Sequence, residues 1–78
     1  MPEIPSEDVL EKMVKEEIEE IECQPTGFRE IRRVAMQKVW DIADKLEERG
    51  YELTNEMFRK LVREVWKEIK KLPACTVK

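Results

Sequence analysis

Apolar residues recur along this chain at steps of three and four, the spacing of one face of an α-helix and not the alternation of a β-strand. Ser6 stands where a helix N-cap belongs, and two acidic residues follow it in the first turn. Pro25 biases the residue before it away from helical angles. The pattern predicts a first helix over about residues 6–22, with the apolar positions Val9, Leu10, Met13, Val14, Ile18 and Ile21.

The second periodic segment has a wider apolar side than the first. Its main stripe consists of Phe28, Ile31, Ala35, Val39, Ile42 and Leu46. Val34, Met36 and Trp40 lie off that stripe, so the helix is expected to touch two neighbours. Gly50 suits the left-handed position after a helix C-terminus. The segment predicts a second helix over about 27–49.

The third segment begins after Thr54, a good N-cap, and ends before Pro73. Its apolar positions are Phe58, Leu61, Val62, Val65, Trp66, Ile69 and Leu72. A third helix is therefore predicted over about 54–72. Three helices with short joints predict an all-α, antiparallel three-helix bundle. Residues 1–78 form one domain in this interpretation, with 1–5 and 76–78 expected to be loose.

Composition limits where the protein works and how much core it has. A chain of 78 residues buries a small core. It contains no apolar run of about 20 residues, so no membrane span is expected, and its acidic N-terminus is unlike a targeting signal. A cytoplasmic location is predicted. The many Glu and Lys residues, with one Asn and two Gln, are typical of heat-adapted proteins.

The two cysteines follow the ends of the first and third helices. In an up-down-up bundle those two ends lie at the same pole, so a disulfide between Cys23 and Cys75 is within reach. Such a bridge would stabilise a small core. Two unconnected thiols are the alternative, and a reducing cytosol favours them.

The sequence lacks the residue patterns of a catalytic site. It contains no His, and its two glycines stand at helix boundaries and not in a phosphate-binding loop. Two Cys without His do not supply a structural zinc site. The glutamate-rich stretch 16–22 is interpreted as a solvated or ion-paired face. We expect no enzyme activity, no cofactor, no metal and no small-molecule substrate.

Charge is divided unevenly between the two parts of the chain. Residues 1–25 carry nine acidic side chains against two lysines (net −7), and residues 26–78 carry nine against thirteen basic ones (net +4). The third helix has a basic face made of Arg59, Lys60, Arg63, Lys67, Lys70 and Lys71. With the turn around Gly50, the second and third helices have the outline of a helix-turn-helix. A nucleic-acid-binding regulator is therefore one hypothesis.

The leading hypothesis is a non-enzymatic interaction module. Val34, Met36 and Trp40 form the candidate interface, because flanking helices need not cover all of them and exposed apolar patches mark association sites. The charge division suits a homodimer in which the acidic first helix of one copy meets the basic second or third helix of another. The predicted partners are therefore a second copy or another protein.

Overall fold

In the computed structural model, which describes residues 3–75, the chain forms three helices: α1, Glu7–Ile18; α2, Phe28–Glu48; and α3, Asn55–Lys70. Packing is most extensive between α2 and α3, followed by α1 with α3. The predicted all-α, three-helix bundle is confirmed. None of these helices has the length and apolarity that crossing a bilayer would require.

Both predicted side-chain caps are present. The Ser6 hydroxyl accepts a hydrogen bond from the Val9 amide at 3.3 Å, and the Thr54 hydroxyl accepts one from the Met57 amide at 3.2 Å. Gly50 follows α2 with φ +86°, a left-handed angle that other residues rarely adopt. The starts of α1 and α3 and the end of α2 are therefore encoded locally in the sequence.

The first helix ends at Ile18 and not near residue 22. After Ile18 the backbone makes tighter bonds, with the Ile21 amide donating to the Ile18 carbonyl at 2.9 Å. This turn keeps Ile21 packed against the core. The apolar spacing in the sequence therefore continues past Ile18 and does not show where α1 ends. The observed α2 and α3 fall within two residues of their predicted limits.

The core lies between the three helices and uses the stripes that the sequence predicts. α1 supplies Leu10, Met13, Val14 and Ile18; α2 supplies Ala35, Val39, Ile42 and Leu46; and α3 supplies Leu61, Val65 and Ile69. Each of these residues is at most 6 % exposed. Burial of these apolar side chains provides the main stabilisation of the fold.

Backbone contacts at the two poles set the helix directions. At one pole the Glu52 amide donates to the Glu3 carbonyl at 2.7 Å. At the other, the Gln24 amide donates to the Pro73 carbonyl at 2.6 Å, and the Cys75 amide donates to the Gln24 carbonyl at 3.1 Å. The start of α1 thus lies beside the start of α3, and their ends also lie together. α2 runs antiparallel to both.

Residues 3–5, which the sequence predicts to be loose, make contacts with the rest of the bundle. Pro5 is fully buried, and the Glu3 carbonyl is bonded to the Glu52 amide. A segment of three residues is too short for periodicity to reveal that it packs. Residues 1–2 and 76–78, which were also predicted to be loose, lie outside the described residues.

The pole near the end of α3 is closed covalently as well as by hydrogen bonds. Cys23 and Cys75 are joined in a disulfide with a Cα–Cα distance of 5.1 Å. The Gln24 side-chain amide donates to the Lys70 carbonyl at 3.1 Å, and to the Ile69 and Leu72 carbonyls at 3.5 Å each. The Gln24 side chain therefore reaches two carbonyls of the last turn of α3 and one just beyond the helix, where carbonyls have no i+4 partner.

One glutamate is buried where α1 packs against α2. The Glu17 side chain is 4 % exposed; it accepts a hydrogen bond from Lys45 and lies 3.5 Å from the Lys38 ammonium. A buried carboxylate is stable only when it is paired. Within the predicted ion-paired face, Glu17 is thus a specific link between α1 and α2.

Replacing both cysteines with serine is expected to lower the free energy of unfolding by about 2–4 kcal/mol, because the bridge restricts the unfolded chain. The loop that it closes spans 52 residues. Urea denaturation of wild type with and without reductant, beside the Cys23→Ser/Cys75→Ser variant, measures this. The variant should not respond to reductant. Two titratable thiols in unreduced, denatured wild type would contradict the bridge.

Replacing Glu17 with glutamine is expected to destabilise the protein by about 1–3 kcal/mol, because two lysines then lose a buried charged acceptor. The matched control is Glu16→Gln, which removes the same charge from an exposed neighbour on α1 and should change stability little. Urea denaturation of both variants provides the comparison. Equal unfolding free energies for the two would show that Glu17 does not link the helices.

Candidate interaction surface

The three predicted interface residues do not form one patch. On α2, Val34 lies one turn from Lys38, which contacts α1. Met36 lies one turn from Trp40, whose ring centroid is 5.4 Å from that of Phe58 on α3. Val34 and Met36 are half-buried, whereas Trp40 is 57 % exposed. Val34 therefore belongs to the α1 side, and Met36 and Trp40 belong to the α3 side.

Aromatic side chains of α2 and α3 pair with each other at two levels along the two helices. One level is the Trp40–Phe58 pair, and the other is Phe28 with Trp66, whose ring centroids are 5.5 Å apart. Helical spacing places Met36 and Val62 between the two pairs. We call this surface the aromatic strip: Phe28, Met36, Trp40, Phe58, Val62 and Trp66.

Phe28 was predicted to be a core residue, but it is 70 % exposed. It is the first residue of α2, so it stands at the end of the buried stripe and not between helices. The Trp66 ring lies against its ring. Large exposed aromatic side chains on a small domain are typical of association surfaces.

An open groove of about 690 Å³ lies at the Trp40 end of the aromatic strip. Its lining consists of Trp40, Ala43, Glu47, Tyr51, Glu52, Leu53, Asn55 and Phe58. The lining is largely apolar, and two of its residues, Glu47 and Glu52, carry carboxylates. This arrangement suits an apolar side chain flanked by a basic group on a partner.

The predicted basic face of α3 is partly neutralised within the molecule. Lys60 forms an ion pair with Glu7, and its hydrogen bond and positive charge lower the pKa of that carboxyl group. Lys71 donates to Glu68 at 3.3 Å. Lys70 lies 5.7 Å from the centroid of the Trp66 ring, a cation–π distance. Half of the predicted basic residues therefore already have partners.

Arg59, Arg63 and Lys67 remain exposed on α3 and form no ion pair with another residue of the 3–75 range. They form the middle and the α2-side edge of the basic face. A free basic surface therefore exists, but it is narrower than the sequence predicts.

The arrangement of α2 and α3 differs from a helix-turn-helix. Phe28 meets Trp66 at one end of the pair, and Trp40 meets Phe58 towards the other. The helices thus lie side by side, whereas the two helices of a helix-turn-helix cross at about 90–120°. Side-by-side packing produces the aromatic strip, because both helices contribute to one outer face.

The opposite surface, between α1 and α2, is closed by ion pairs. Burial acts to lower the pKa of Lys38, but the hydrogen bond and charge of Glu20, followed by those of Glu17, raise it overall. The hydrogen bond to Glu17 likewise raises the pKa of Lys45. Because folding raises both values, this stabilisation is present below the ordinary lysine pKa of about 10.4 and is lost as pH rises beyond it.

On the same surface, the pKa of the Glu20 carboxyl group is shifted in the opposite direction, downwards. A hydrogen bond from Lys38 lowers the pKa of Glu20, so its stabilisation is lost only as pH falls below the ordinary range near 4.3. These pairs therefore persist at neutral pH. The exposed aromatic side chains Phe28 and Trp40 lie on the aromatic strip and not on this surface.

Within residues 3–75, no three metal-ligating side chains come together as a metal site would require. Comparisons with protein families, with curated proteins and with solved structures find no match to this chain.

Proposed function

We propose that this protein is a non-enzymatic helical interaction module that self-associates through the aromatic strip. The observation that carries the proposal is the exposure of Phe28 and Trp40, at 70 % and 57 %, each beside an aromatic ring of α3. A small domain gains free energy by removing such rings from water. Because these two rings lie outside the core, contact with a second protein surface would remove them from water.

The surroundings of the strip support the same function. The groove beside Trp40 can accept a side chain, and charged residues border the strip at both ends. An apolar centre with a polar rim is the usual anatomy of a protein interface.

Replacing Trp40 with lysine is expected to raise the dimer dissociation constant at least about tenfold, because it removes a central aromatic residue and places like charges at the interface. Sedimentation velocity over a range of concentrations measures this. The control is Gln37→Lys, which adds the same charge to an exposed position on the same helix. A wild type that stays monomeric at millimolar concentration, unchanged by either substitution, would contradict self-association.

A second candidate function is nucleic-acid binding, for which the exposed Arg59, Arg63 and Lys67 provide the support. Arg63 and Lys67 lie within one turn of Trp66, and bases stack on aromatic rings. The side-by-side helices make major-groove reading by α3 less suitable than contact with phosphates and single strands.

If this second function holds, the wild type binds DNA or RNA at low salt and releases it as salt rises, because phosphate contacts release counterions. The Arg63→Glu/Lys67→Glu variant should then lose at least about tenfold in affinity, with its mass unchanged. Fluorescence anisotropy with labelled single-stranded and duplex oligonucleotides measures both effects. Absence of binding by wild type at low salt would exclude this function.

A further inference from the structure

Along one line of α2, the side chains change from basic at the start of the helix to acidic at its end. Positions spaced alternately by four and three residues fall on one line of a helix. Starting from residue 29, this line consists of Arg29, Arg33, Met36, Trp40, Ala43 and Glu47. It begins with two arginines, continues through apolar side chains and ends in a carboxylate.

This line of residues is complementary to a second copy of itself that runs in the opposite direction. About position 38, Arg29 is symmetric with Glu47, Arg33 with Ala43, and Met36 with Trp40. A two-fold axis through this point would therefore place opposite charges together at both ends and apolar side chains together in the middle. A single sequence satisfies both halves of such a contact.

Residues on α3 and in the α2–α3 turn extend the same gradient. Lys70 lies over Trp66 at the basic end, whereas Glu52 joins Glu47 in lining the groove at the acidic end. Arg59, next to Phe58, is a basic residue at the acidic end and offsets part of that charge. The gradient is therefore carried mainly by α2 and the α2–α3 turn, with Lys70 of α3 adding to its basic end.

We propose that the aromatic strip binds a second copy of this chain in an antiparallel, two-fold arrangement, with Arg29 of each copy facing Glu47 of the other. This inference rests on the proposed self-association and adds its orientation and register. Met36 of each copy then packs against Trp40 of the other. The groove beside Trp40 receives apolar atoms of the second copy.

Charge decides between this arrangement and its alternative. A parallel pairing of the two strips would set Arg29 against Arg29 and Glu47 against Glu47. Like charges placed opposite each other at an interface are unfavourable. The antiparallel arrangement replaces the two repulsions with two attractions, one at each end of the line.

The size of the surface suits a reversible dimer. Arg29 and Glu47 are eighteen residues apart, or about 27 Å along the helix at 1.5 Å per residue, and two adjacent helices are about 20 Å wide. The face therefore measures about 500 Å² on each copy, or about 1,000 Å² in the dimer, which is near the lower limit for a specific interface. At this size, two charge pairs strongly influence the dissociation constant.

The test is charge exchange at the two ends of the line. Arg29→Glu alone and Glu47→Arg alone should each weaken the homodimer roughly tenfold or more, since each creates two like-charge contacts. An equimolar mixture of these two variants should form a heterodimer close to wild type in affinity. The double variant Arg29→Glu/Glu47→Arg should likewise recover as a homodimer.

Sedimentation velocity gives each dissociation constant, and circular dichroism confirms that every variant is folded. Glu16→Arg, an equal change of charge on exposed α1, is the control and should dimerise like wild type. If Trp40→Lys dissociates the dimer but neither the mixture nor the double variant recovers it, self-association stands and the antiparallel register is wrong. If wild type is monomeric throughout, the proposed function itself is wrong.

Discussion

The attachment of the segment after α1 to the end of α3 is the constraint on which the rest of this structure depends. The Gln24 backbone forms hydrogen bonds with Pro73 and Cys75, on either side of Ala74. The Gln24 side chain donates to the Lys70 carbonyl at the end of α3. The neighbouring Cys23 is joined to Cys75 by a disulfide. Without this attachment α1, at twelve residues the shortest helix, would depend on a few apolar contacts and ion pairs. With it, and with the bond from the Glu52 amide to the Glu3 carbonyl at the opposite pole, α1 is held parallel to α3 at both ends.

That placement of α1 determines which surface stays open. α1 lies on one flank of the α2–α3 pair, where Glu17 and Glu7 bind lysines from α2 and α3 respectively. A single additional helix, α1, can cover only one side of the α2–α3 pair. Phe28 and Trp40 therefore stay in solvent, and this exposure results from the small size of the domain.

Periodicity and capping residues were sufficient to predict the three helices, their order and most of the core, because these features depend on residues close together in the chain. The early end of α1 was not predictable, since Ile21 keeps the apolar spacing within a tighter turn. The burial of Pro5 and the role of Gln24 depend on contacts between distant residues. The candidate surface was found only in part: Trp40 and Met36 belong to it, Val34 does not, and Phe28 was assigned to the core.

In the folded protein, the uneven division of charge along the chain is largely used for ion pairs within the same molecule. From the sequence, the acidic first helix is available to pair with a basic helix of another copy. In the structure Glu7, Glu17 and Glu20 have lysine partners within the same chain, which reduces the attraction that α1 can offer to a second molecule. The gradient along α2, from Arg29 to Glu47, crosses exposed apolar residues instead. Charge there can orient two apolar surfaces, which is the role electrostatics usually has at interfaces.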